Sequence, residues 1–203
     1  NALAEDFRDC GFNQKHLLKR IALSSVYSHS SHPTASNVSD RLNYSRHYRH
    51  RLRAEVLLDS ISDVTETTSS RQAMPPQSRA NQVWTTRVDS LFLDTFGRPN
   101  ENQDPPCERT PDATMTQALH LMNSPELDRR IRSDSGRAAQ LAASDRSPTE
   151  IANELYLAAF SRYPLEAERT YAARLIEGSD DRRKTLEDLM WALINSPEFY
   201  IQN

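Results

Sequence analysis

Cys107, followed by Glu108 and Arg109, lies thirteen residues upstream of His120. A thiol flanked by a cation and within reach of an imidazole has the composition of an activated nucleophile, because the thiolate needs a cationic or basic neighbour. No third orienting group can be named from the order of the chain. The structural assignment of the same residues is that Glu108 and Arg109 form buried ion pairs, with Arg51 or Glu55, that lock a loop onto helices. Gln117 falls on an apolar helix, where interior amides are usually satisfied by backbone groups. Glu108, Arg109, Gln117, His120, Arg51 and Glu55 are therefore the polar candidates, and Trp84 is an aromatic candidate for contact with carbohydrate.

Other patterns carry less. His29 and His32, like His47 and His50, have the i,i+3 spacing of two metal ligands. Neither pair has a carboxylate or thiolate partner at the spacing of a metal motif, so surface histidines are expected, with no metal and no cofactor. Arg41, Arg46, Arg49, Arg51 and Arg53 with Tyr44 and Tyr48 could face a phosphate backbone. Asp40, Glu55 and Asp59 lie close by, so a solvated, ion-paired face is expected instead. Four glycines in the whole chain leave no phosphate-cradling loop.

Composition narrows the classes. The 203 residues carry 25 basic and 28 acidic side chains, a formal charge of −3, so non-specific nucleic-acid binding is not expected. Mean hydropathy is −0.74, and no apolar run approaches the roughly 20 residues that span a bilayer. Cys10 and Cys107 are too few for a disulfide scaffold; they either pair or remain buried thiols. The first residue is Asn1, and a C-terminal piece of a larger multidomain protein is expected, with residues 1–203 forming a single helical domain.

The elements that must position these residues are helices. Leu3 and Phe7 share a face over 1–9, which Gly11 ends. Asn13 is an N-cap, with Phe12 and Leu17 at the staple positions, and Leu17, Leu18, Ile21, Ala22 and Val26 make a stripe running to about Tyr27. A polar loop over 29–40 precedes the longest expected helix, about 43–64, carrying Ala54, Leu57, Leu58, Ile61 and Val64. Six of the eleven prolines then fall between 65 and 112, an excursion with a short helix over 88–96 and an extended piece at Val83-Trp84.

Thr110-Pro111-Asp112 reads as a helix start, with Ala118, Leu119, Leu121 and Met122 as its stripe. Asn123-Ser124-Pro125-Glu126 reads as one helix stopping and the next starting, and Asn195-Ser196-Pro197-Glu198 repeats the device. Ser147-Pro148-Thr149-Glu150 is a capping box. Helices are expected over 126–133, 137–143, from Pro148 to a break at Tyr163-Pro164, over 165–176 with Tyr171, Ala172 and Leu175 inward, and over 182–195. Strand-like alternation is almost absent, so the fold class is all-α: an irregular multi-helix bundle with a long Pro-rich excursion over about 65–112.

The blocks NQKHLLKRIALSSVY, HRLRAEVLLDSI, FLDTFGRP, CERTPDATMTQALHLMNSPEL, ELYLAAFSRYP and LEDLMWALINSPEF occur in that order. Together they resemble the planctomycete-specific PSD-one domain, a domain-of-unknown-function family. The resemblance implies a large exported protein, periplasmic or extracellular, in which this module follows another uncharacterised domain. Cytochrome c-type or carbohydrate-binding domains accompany some members. No catalytic residue is carried across, and Pro105 stands where related sequences have the first cysteine of C-x-C-E-R.

The expected function is a helical scaffold or docking module of such a protein, associated with extracellular polysaccharide or cytochrome-linked redox work. The expected partners are neighbouring domains of the same protein and carbohydrate, with no nucleic acid and no membrane span. The alternative is an enzyme, a polysaccharide-directed hydrolase or redox component, with a site near the 65–112 loop. Its glycosidase form needs two carboxyls facing each other across about 5–10 Å.

Overall fold

Ser147 shows how directly local chemistry sets the elements. In the computed structural model its hydroxyl accepts the Glu150 amide (3.3 Å), while the Glu150 carboxylate accepts the Ser147 amide (2.9 Å). The Ser147 hydroxyl also donates to that carboxylate (2.7 Å), and this bond, then the amide, hold the Glu150 carboxyl below its ordinary pKa. Ser147→Ala is expected to lower stability by about 1 kcal/mol, read as a shift in the urea midpoint at unchanged slope.

The structure describes residues 1–40, 42–68, 74–75, 77–83, 89–99 and 114–202. Eleven α-helices and almost no strand occur among them, so the fold is all-α. The chain divides into two compact units, residues 1–50 and 51–202.

The first unit contains α1 (Ala2–Asp9) and α2 (Gln14–Ala22), joined by a turn in which Gly11 and Phe12 both take positive φ. Asn13 accepts the His16 amide at the start of α2, and Asp6 on α1 reaches His16 (3.2 Å) and Arg20 (3.6 Å) on α2. The helix stops at Ala22 rather than about Tyr27. The stripe it was expected to bury is also open: Leu18, Ile21 and Val26 are exposed. The only buried residue described in this unit is Ser31.

Periodicity predicts a helix over 43–64, but α3 occupies Ala54–Thr65. Asp40 closes a turn instead: its carboxylate accepts the amides of Leu42 (3.0 Å), Asn43 (2.9 Å) and Ser45 (3.3 Å). Tyr44 then sits at φ +52°, a left-handed conformation that no α-helix interior accepts.

The second unit is built around α3. Ala54, Leu57, Leu58, Ile61 and Val64 are buried there, and the helix packs on α4 (Leu91–Thr95), α6 (Pro125–Ile131), α7 (Arg137–Ala143) and α8 (Pro148–Phe160). It also packs on a short 3-10 turn, Ala80–Gln82. Helix α9 (Glu166–Glu177) lies on α8, and α10 (Arg182–Ile194) contributes Leu186, Leu189, Met190, Leu193 and Ile194 to the same core. Tyr171 and Leu175 of α9 point outward; Ala172 and Ile176 are its buried face.

Helix α5 (Met115–Asn123) starts from a capping box of Thr114 and Gln117. The Thr110 to Asp112 cap lies outside the described residues. Of the expected α5 stripe only Leu121 is buried, while Leu119 and Met122 are exposed. The two Asn-Ser-Pro-Glu joints share a device: Asn123 Nδ2 donates to the Leu119 carbonyl (3.0 Å) and Asn195 Nδ2 to the Trp191 carbonyl (2.9 Å). Each asparagine folds back on the helix it ends, and proline opens the next, α6 and α11 (Pro197–Tyr200).

Candidate functional site

Three of the polar candidates meet on α4. Gln117, buried and already engaged in its own capping box, donates Nε2 to the Thr95 carbonyl (3.1 Å). Arg51 donates to the Phe96 carbonyl (2.8 Å) and the Leu52 carbonyl (3.0 Å), and its guanidinium lies 5.4 Å from the Phe96 ring centroid. Two side chains thus satisfy carbonyls that the end of α4 leaves without intrahelical donors. His120 sets its ring edge-on to Phe92 (5.7 Å) and Phe96 (6.0 Å), which themselves stack at 4.5 Å. Burial pushes the imidazole below its ordinary pKa, against a smaller upward pull from Glu126. Glu55 sits half-buried in the first turn of α3. Glu108, Arg109, Cys107 and Trp84 lie outside the described residues.

A polar cleft of about 400 Å³ opens at the end of α3, and sequence reasoning did not find it. Asp59 is nearly buried and accepts the amides of Ala80 (2.6 Å) and Asn81 (3.0 Å), pinning the 3-10 turn to the helix. Arg79 clamps Asp63 through two nitrogens (3.3 and 2.6 Å) and approaches Asp59 at 3.6 Å. On the other wall Arg137 donates to the Val64 carbonyl (2.8 Å), the Asp63 carbonyl (3.2 Å) and Glu154 (2.7 Å), and pairs with Glu66 (3.0 Å). Gly136 leaves room for this: a Cβ there would stand 3.0 Å from the Thr65 carbonyl oxygen. The signal available was Asp59 and Asp63 four apart on a predicted helix, a like-charged pair whose mild repulsion a shared cation relieves.

A second carboxylate pair brackets Arg162, just past the end of α8. Its guanidinium holds Glu168 (2.8 and 3.0 Å) and Glu198 (2.6 and 2.9 Å), and stacks on Tyr156 and Phe160 at 5.6 and 5.4 Å. One arginine therefore ties α8, α9 and α11. Both carboxylates raise the Arg162 pKa, and the bond from Arg162 lowers that of Glu168. A depressed folded-state pKa stabilises above the ordinary carboxylate value, about 4.3, and that stabilisation is lost as pH falls through the folded value. Arg162→Met is expected to be less stable at pH 7 and to lose less further stability down to pH 3 than the parent protein. Urea midpoints across that range test it; parallel curves would sink it.

The first unit holds the histidine pairs. His47 and His50 rings stand 6.4 Å apart, and His29 Nδ1 lies 3.3 Å from the Tyr44 carbonyl. Among the described residues no group of three or more His, Cys, Asp or Glu is placed to hold a metal. Cys10 is a free thiol donating to the Phe7 carbonyl (3.3 Å). No described helix is long and apolar enough to cross a membrane.

Taken together, the second unit is an all-α module whose arginines bind helix ends and carboxylate pairs. The chain belongs to the PSD1 family, described as protein of unknown function (DUF1553), whose model matches residues 1–176. The core of the second unit continues past that match, through α10 and α11. No curated protein and no solved structure is significantly similar to the chain.

Proposed function

We propose that the chain is a docking module, with the first unit seating on an apolar surface of a neighbouring domain of the same polypeptide. One observation carries this: no hydrophobic side chain described in the first unit is buried, while Leu3, Phe12, Leu18 and Leu23 stand between 52% and 73% exposed. Fifty residues without an apolar core lack the main driving force for folding, and a partner surface supplies it. The wider setting, an exported multidomain protein engaged with extracellular polysaccharide or cytochrome-linked redox work, is supported by the family resemblance. The enzyme reading has less support, since Asp59 with Asp63 and Glu168 with Glu198 each share an arginine.

The test is hydrogen exchange on the full-length protein carrying Leu18→Asp and Leu23→Asp. Protection across residues 1–50 is expected to fall at least tenfold, with α3, α8 and α10 unchanged. Equal protection in variant and parent would remove the docking assignment.

A further inference from the structure

Lys15 and Lys19, both exposed, lie one turn apart on α2, and neither makes an ion pair among the described residues. Both positions are locally unfavourable. Like charges at i,i+4 repel, and Lys15 stands in the first turn of the helix, where the dipole opposes a cation. Helix α2 has no acidic residue to offset either effect. A counter-charge for the two lysines has to come from outside the helix.

The rest of the first unit does not supply it. Residues 1–50 carry seven Lys and Arg against four Asp and Glu, whereas the remainder of the chain carries eighteen against twenty-four. Of the four carboxylates, Asp6 holds His16 and Arg20, Asp9 pairs with Arg8, Asp40 accepts the amides of its own turn, and Glu5 lies in the first turn of α1. With about 3.6 residues per turn, the apolar arc of α2 that includes Leu18 and Ile21 is bordered on one side by His16 and Arg20, and on the other by Lys15 and Lys19. The first border is closed by Asp6. The second is an open cationic column beside exposed leucine and isoleucine. An ammonium is strongly hydrated, so this column suits the wet rim of a contact rather than its centre.

We propose that the surface receiving the first unit is acidic at its rim: carboxylates of the neighbouring domain face Lys15 and Lys19, while its apolar centre covers Leu18 and Ile21. This rests on the docking reading and adds to it the charge of the partner. The apolar contact holds the unit, and the charges select the surface and its register.

Hydrogen exchange on the full-length protein carrying Lys15→Glu tests this, because the local and the docking effects have opposite signs. Within α2 the change is favourable: it replaces a repulsive i,i+4 pair by an attractive one and sets an anion at the positive end of the helix. Against an acidic rim it is unfavourable. Protection across residues 1–50 is expected to fall about fivefold in Lys15→Glu. In the parent it is expected to fall about threefold between about 0.05 and about 0.5 M NaCl, whereas in the variant salt leaves it unchanged or raises it. Protection unchanged or raised in Lys15→Glu overturns the acidic rim; if Leu18→Asp with Leu23→Asp lowers it all the same, docking stands and only the sign of the partner is lost. Equal protection in that leucine variant removes docking and this inference with it. Protection that appears only with phosphatidylglycerol-containing vesicles, and is lost in Lys15→Glu, assigns the face to a lipid surface and likewise overturns the proposal.

Discussion

Phe96→Ala is expected to cost about 3–5 kcal/mol and to give the largest loss of any single change considered. The ring is 1% exposed, stacks on Phe92 at 4.5 Å, and carries the Arg51 guanidinium on one side and the His120 edge on another. Truncation removes the packing and unseats both polar neighbours. Phe96→Leu, which keeps most of the volume, is expected to cost no more than about 1.5 kcal/mol.

A second readout separates the site from general instability. His120 has a folded-state pKa below its ordinary value because it is buried. Lowering the pH through the ordinary imidazole range, about 6.5, therefore favours the unfolded chain, which takes up the proton more readily. In Phe96→Ala the imidazole is wetter, its pKa moves up toward that value, and this part of the acid sensitivity shrinks. An NMR titration of His120 measures the shift, and an unchanged pKa would show that the ring is not what desolvates it.

Arg137→Met is expected to lower stability by about 2–3 kcal/mol. The side chain is 15% exposed and donates to the last carbonyls of α3 while pairing with Glu66 and Glu154. Carbonyls at a helix end carry partial negative charge, so a cation there stabilises both the dipole and the unpaired acceptors. Glu154 retains Arg146 as a partner, which keeps the loss below that of a fully isolated buried charge. A fall of about 5–10 °C in Tm is the corresponding observable for a unit of this size. Arg137→Lys is expected to restore less than half, because an ammonium cannot fork between two carbonyls and two carboxylates. Full rescue by lysine would show that a point charge is enough.

Helix boundaries set by neighbours in sequence were legible. Asn13, Ser124 and Ser147 each cap a helix through an amide three residues away, so the whole device lies within one short window. The boundary at Ala54 was not, because helical spacing continues back through Tyr48 and Leu52 while Tyr44 takes a left-handed φ and the Leu52 amide donates to the Tyr200 carbonyl (2.9 Å), far off in sequence. The stripes of α2 and α5 show the limit of periodicity: it identifies an apolar face but says nothing of what covers it, and Leu18, Leu119 and Met122 remain open.

For the site, residue type drew attention to Arg51, Gln117 and His120, yet their meeting point is set by α4, whose Phe96 lies 45 residues from Arg51. Arg137 was invisible for the same reason, its acceptor carbonyls being 73 and 74 residues away. Arg130 reaches Ser62 across 68 residues. Contacts of that separation are created by packing, and no spacing rule encodes them.

The use of arginine at helix ends also changes how a protease meets this chain. Trypsin must draw an arginine side chain into its own pocket and lay the surrounding backbone out flat. At Arg137, Arg162 and Arg183 that side chain already holds carbonyls or carboxylates of another segment. Cleavage at these bonds first requires those contacts to break, so the rate of cutting there reports the opening of the segments that each arginine ties together.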